Sequence, residues 1–159
     1  MEKKLQEMIR MQRALDKAIY DGHDVSYDYK KTKLALIDEL GELTHELKGD
    51  WCWWKKTQKP VDRSKVLEEL VDCWHFAMSI CYHDCDKWGF KAYSICENVA
   101  RRKAETYDLY KLVVNAINTE FDLDDMLALT YKLGFTMTDI YDCYLKKNAE
   151  NFSRLERGY

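Results

Sequence analysis

Leu36, Leu40, Leu43 and Leu47 recur at spacings of four, three and four, and Val66, Leu70, Trp74 and Ala77 repeat the rhythm further along. That period belongs to α-helices with one apolar side. Each stripe must be shielded from water, and two stripes can shield one another, so the pattern pushes the chain towards packed helices. No segment shows a period-two alternation, which a half-buried strand needs, that would compete with this picture. One proline and six glycines in 159 residues leave room for long helices, because few positions lack a backbone donor or helical preference. The expected fold is all-α, a single-domain helical bundle spanning residues 1–159, of a size that suits one core.

Leu5, Met8, Ile9, Gln12, Leu15 and Ile19 share a face and predict a first helix over 5–19, with 20–31 as a loop. A second helix is expected over 32–48, stopping near Gly49, and 50–62 reads as a connection holding Trp51, Trp53, Trp54 and Pro60. A third should run from residue 63 or 64 to 83, capped by Ser64 or Asp62, with His83-Asp84-Cys85-Asp86 marking a turn. Further helices are expected over about 90–112, 122–133 and 136–151, the last capped by Thr136 or Thr138, before the tail RLERGY. There is no internal repeat and no low-complexity segment.

The surface charge is close to balanced, 25 basic against 28 acidic residues for a net −3. No broad attraction to nucleic acid or to an anionic membrane is expected from it. The opening MEKKLQEMIRMQRALDK lacks the apolar core of a secretion signal, and no apolar run reaches membrane-spanning length. The six cysteines, lying mostly within helical patterns, are therefore expected to be reduced thiols in a cytoplasmic protein. Cys81 and Cys85 flank His83 but lack the second matching pair that a zinc site needs.

Glu39, Glu42 and Glu46 run along the edge of the first leucine stripe. At about 100° per residue, Glu42 and Glu46 fall within about 60° of Glu39. Glu69 and Asp72 repeat the arrangement beside the second stripe, so the two acidic edges converge if both stripes face one core. Gathered carboxylates repel one another and resist desolvation. A hard divalent cation relieves both problems, and oxygen donors favour Mg²⁺, which keeps waters and binds substrate phosphates. Acids three residues apart also decorate many solvated helix faces, so from pattern alone metal ligands and ordinary surface acids stand as equal readings. Asp38 and Glu68 point about 100° away from their neighbours and are expected at the surface or behind the ligands.

Glu39-Leu-Gly-Glu42 followed by Glu69-Leu-Val-Asp72 resembles the ExxE and ExxD pairs of the all-α nucleoside triphosphate pyrophosphatase superfamily, which includes MazG-like proteins. Within it the chain resembles the dimeric dUTPases most. Gln12, Leu15 and Asp16 are similar to that family's Q-x-x-L-D segment, and Trp54-Lys55-Lys56 to its tryptophan-containing segment. Lys147-Asn148-x-x-Asn151-x-x-Arg154 with Gly158-Tyr159 is similar to its terminal signature. The matched features run from position 12 to 159, although 87–139 contributes little and the Gly49–Trp53 loop departs from the family's aromatic-lysine-aromatic pattern.

The resemblance implies a metal cluster of Glu39, Glu42, Glu69 and Asp72 holding two or more Mg²⁺ ions, with Mn²⁺ as a substitute. It makes these four the catalytic acids and Glu42 the contact and base for the attacking water. It implies attack at the β-phosphorus of dUTP, release of dUMP and pyrophosphate, and hydrolysis of dUDP as well. Gln12 and Trp54 are expected at the nucleoside, Lys147, Asn151 and Arg154 at the phosphate and sugar, and Tyr159 in a C-terminal tail that closes over the nucleotide. Trp51 and Trp53 read as core or dimer-interface packing, His75 as a packing or hydrogen-bonding residue. The expected partners are deoxyuridine nucleotides and a second copy in a homodimer. Two rivals stand beside this: a related pyrophosphatase for dCTP or another nucleotide, and a non-catalytic helical regulatory binding protein.

Overall fold

The computed structural model describes residues 1–89, 95–120 and 122–158. Among them there are helices and no β-strand: α1 (Glu2–His23), α2 (Tyr29–Glu46), α3 (Lys48–Trp51), α4 (Arg63–Trp88), α5 (Glu97–Thr106), α6 (Leu109–Ile117), α7 (Asp124–Lys132) and α8 (Met137–Glu156). The all-α expectation holds. None of these helices is long and apolar enough to cross a membrane.

Local chemistry sets the boundaries. Asp28 accepts from the backbone N–H groups of Lys30 and Lys31 at 2.9 and 3.2 Å, so α2 starts three residues before the expected position. Asp62 caps α4 by accepting from Ser64 N–H at 3.0 Å. Thr136 and Asp139 form a reciprocal capping box at the start of α8. Gly49 lets the chain fold back after α3, because a Cβ there would stand 3.0 Å from the Lys59 carbonyl oxygen and 3.0 Å from Val61 Cγ2.

Three expectations fail for identifiable reasons. The predicted loop over 20–31 is helical to His23, where Asp24 turns left-handed at φ 51° and its N–H bonds the Tyr20 carbonyl. His83-Asp84-Cys85-Asp86 is no turn: α4 continues to Trp88 because α1 supplies partners for these polar groups. Arg13 grips Asp86 with two hydrogen bonds of 2.6 and 2.8 Å, and Tyr20 Oη lies 3.4 Å from His83 Nε2. The single helix expected over 90–112 breaks at Tyr107, since Asp108 accepts from Lys111 N–H at 2.8 Å and starts α6. Its first residues, 90–94, lie outside the described residues. At the other end α8 runs five residues past Asn151, so the first half of the expected tail is helix.

α4 is the central rod, packed against α1, α2 and α8, with α5–α7 forming a group joined to the rest through α2–α6 and α4–α7 contacts. The two predicted stripes are buried throughout: Leu36, Leu40, Leu43 and Leu47 on one side, Val66, Leu70, Trp74 and Ala77 on the other. Trp74 is sealed, and its Nε1–H donates to Thr130 Oγ1 at 3.0 Å, fastening α7 to the rod. All six cysteines are free thiols.

Candidate active site

Packing the stripes of α2 and α4 together brings their acidic edges to one place. Glu39, Glu69 and Asp72 each offer a carboxylate oxygen, and these oxygens lie within 4.8 Å of one another; among the described residues they form the one grouping placed to hold a metal ion. All three are half-buried. Glu42 stands exposed at their rim, one turn from Glu39, and with Glu69, Asp38, Gly41, His45 and Glu46 it lines a cleft of about 390 Å³.

The electrostatics follow from that crowding. Burial, and then the charges of Asp72, Glu42 and Glu69, push the Glu39 carboxyl up from 4.5 to about 7, while Lys147 pulls the other way. Glu69 is raised by burial and then by Asp72 and Glu42. Asp72 is raised too: burial outweighs the hydrogen bond it accepts from the Lys147 ammonium. Burial alone would lower Lys147, but Asp72, Glu69 and Glu68 more than offset it and hold it above its ordinary value. Such a cluster disfavours its own ionisation and attracts cations. The donor set therefore fits a hard divalent cation.

α8 lays a row of polar groups beside the acids. Because the helix continues through Glu156, Lys147, Asn151 and Arg154 fall four and three residues apart on one face. Arg154 adds its field to that of Lys147 at Asp72 and also lies 3.4 Å from Glu150. Tyr159 lies outside the described residues. A second hollow of about 640 Å³ shares His45 and Glu46 with the cleft and has Lys48, Lys55, Lys59 and Lys65 in its wall. Acids and lysines thus line adjoining hollows.

Trp51, Trp53 and Trp54 sit in and just after α3. Trp51 Nε1–H donates to the Thr44 carbonyl at 2.8 Å, tying the loop to α2. Trp54 is 56% exposed, its ring centroid 5.5 Å from that of Trp51 and 5.8 Å from that of Trp53. Trp53, 88% exposed, is no core residue.

Gln12 takes a different position from the others. It is 3% exposed, and all of its hydrogen-bonding capacity is engaged. Its Nε2 donates to Asp16 at 2.7 Å and to Ser79 at 3.2 Å; its Oε1 accepts from Tyr144 Oη at 3.0 Å and from His75 Nδ1 at 2.7 Å. The amide oxygen can only accept, so His75 carries its proton on Nδ1. Burial and then Lys147 push this imidazole down to about 3, leaving it neutral with Nε2 buried and unpartnered. Asp16 also accepts from Ser79 and Tyr82, at 2.5 and 2.7 Å. This network beneath the acids was legible only in part: Ser79, Tyr82 and Tyr144 are polar residues at the spacing of buried stripes, and that interruption was the available signal.

A larger cavity of about 910 Å³ lies at the far end of α4, among Tyr27, Tyr29, His83 and Trp88. Two of its three acids are engaged, Asp86 with Arg13 and Glu120 with Tyr29, and Asp84 is not gathered with others as the acids of the cleft are. The acidic groove is the better candidate.

No curated protein matches the sequence. The sequence model of a dUTPase family, however, matches residues 4–159, which takes in α2, α4 and α8 and every candidate site residue named above. The chain belongs to this dUTPase family.

Proposed function

We propose that the protein is a Mg²⁺-dependent dUTP diphosphatase, converting dUTP to dUMP and pyrophosphate and dUDP to dUMP and phosphate. The observation that carries the reading is the convergence of Glu39, Glu69 and Asp72, with Lys147 bonded to Asp72. Glu39, Glu69 and Asp72 would hold Mg²⁺, with Mn²⁺ as substitute and Glu42 completing the set. When bound, such ions shield phosphate oxygens and ease the deprotonation of water. Glu42, on the open side, takes the proton of the attacking water. The water oxygen joins the β-phosphorus of dUTP, the bond from that phosphorus to the α–β bridging oxygen breaks, and the electron pair stays on dUMP.

Lys147 and Arg154 bind phosphate oxygens, Arg154 with a fork geometry, and Asn151 takes the sugar or phosphate. Trp54 flanks the base, with Gln12 helping to shape the base and deoxyribose pocket, and Tyr159 closes over the nucleotide. The protein acts as a two-fold homodimer, in which Trp53 and Trp51 find cover; its mass in solution tests this, and an active monomer would remove it.

Pyrophosphate and phosphate release from dUTP, dUDP, dCTP, dTTP and UTP, with Mg²⁺ and with chelator, tests the function. Much faster turnover of dUTP than of dCTP, dTTP or UTP, abolished by chelator, is the expected result. Equal use of dCTP would reject the uracil assignment in favour of the broader pyrophosphatase. No Mg²⁺-dependent release from any substrate would reject catalysis.

A further inference from the structure

Lys147 sits where two demands meet. Its ammonium donates to Asp72, and Glu39, Glu69 and Asp72 all feel its charge. The pair is partly withdrawn from water, with side-chain exposures of 29% and 22%, so the contact carries more weight than a surface ion pair. Yet one ammonium engaged with Asp72 is not available at full strength to a phosphate oxygen. A lysine stem is long and flexible, with three rotatable donors, and it can change partners where the fixed fork of arginine would have to be rebuilt.

We propose that Lys147 is an exchange residue: it neutralises Asp72 in the metal-free protein and passes to the nucleotide's phosphate when a divalent cation takes Asp72, so that cation and nucleotide bind cooperatively through this side chain. The inference rests on the Mg²⁺ reading above. In the metal-free protein the lysine competes with the cation for one carboxylate. With the cation in place, the freed ammonium adds to the pull on phosphate. Linkage makes the effect reciprocal, each ligand tightening the other by the same factor. An ammonium that stayed on Asp72 throughout would give no such coupling.

The test is calorimetric titration of the full chain at pH 8 with Mg²⁺ alone and with α,β-imido-dUTP, a non-hydrolysable probe. Wild type is compared with Lys147→Met and with Lys146→Met, which removes the same charge from the exposed neighbouring lysine. Lys147→Gln is carried in parallel, and retained cooperative melting identifies the folded variants. Lys147→Met should bind Mg²⁺ about tenfold tighter than wild type, since the lost competitor is a charge-assisted hydrogen bond; Lys146→Met should stay within about twofold. The gain in α,β-imido-dUTP affinity on adding Mg²⁺ should be about tenfold smaller in Lys147→Met than in wild type. Unchanged or weaker Mg²⁺ binding by Lys147→Met overturns the exchange, as does equal tightening in both variants. Wild type that binds no Mg²⁺ overturns the metal reading of the function, and the exchange with it.

Discussion

Replacing Glu39 by glutamine separates what the acid cluster does for catalysis from what it does to the fold. Burial first, then Asp72, Glu42 and Glu69, raise this carboxyl from 4.5 to about 7. A carboxyl raised by folding makes the folded state hold a proton that the unfolded chain releases, so stability falls as pH climbs from about 4.5 to about 7. At about 1.4 kcal/mol per pH unit the whole interval would amount to about 3 kcal/mol. Glu39 is only half-buried, and solvent screening reduces this to about 1–2 kcal/mol. Glutamine keeps the shape and removes the charge. In chelator at pH 8, Glu39→Gln should therefore melt about 2–8 °C above wild type, at the 2–4 °C per kcal/mol usual for this size. At pH 4.5 the gap should close, and in saturating Mg²⁺ it should narrow or invert, because the wild type gains more from ligand binding. Circular dichroism melts at the two pH values, with and without metal, measure all of this. A variant no more stable than wild type at pH 8 without metal would refute the idea that the carboxylates are mutually strained.

Glu42→Gln should lower dUTP turnover by about 10²–10⁴-fold while Mg²⁺ still binds; an active variant would exclude Glu42 as the base. Apparent Mg²⁺ affinity should rise by up to about tenfold per pH unit and level off above about 7, as the Glu39 proton ceases to compete; calorimetry at pH 5.5, 6.5, 7.5 and 8.5 would expose a flat profile if the proton is not displaced. Truncation after Asn151 removes the last helical residues of α8, including Arg154, and should impair turnover more than melting temperature. Equal dUTP turnover by truncated and full-length chains would reject the terminal clamp.

The stripes were legible because α2 and α4 pack on leucine-rich faces whose spacing belongs to the helix itself. The same spacing fixed Glu39, Glu69 and Asp72 relative to those faces, so the cluster followed once the two helices met. Helix ends were harder. His83 to Asp86 read as a breaker by composition, and what keeps the segment helical is Arg13, seventy residues away along the chain. Asp108 looked like one polar residue among many, yet its cap on Lys111 N–H divides α5 from α6. Gln12 was read from a resemblance as facing a nucleoside, and the closed set of partners around it depends on three helices meeting, which no local pattern records. Lys147 was expected at phosphate; its bond to Asp72 arises only when α8 packs on α4.

Three of the chain's five tryptophans, Trp51, Trp53 and Trp54, stand together in and just after α3, and a fourth, Trp74, is sealed in the core. Indole emission depends on nearby dipoles and on ring stacking, so the molecule carries its own optical reporter. On the proposed reading, a base landing against Trp54 would change the light from this trio, while the sealed Trp74 and Trp88 in the larger cavity supplied the background. With a slow or non-hydrolysable nucleotide, arrival and departure become separate events on a stopped-flow trace, and the order in which the groove fills can be timed without attaching a dye.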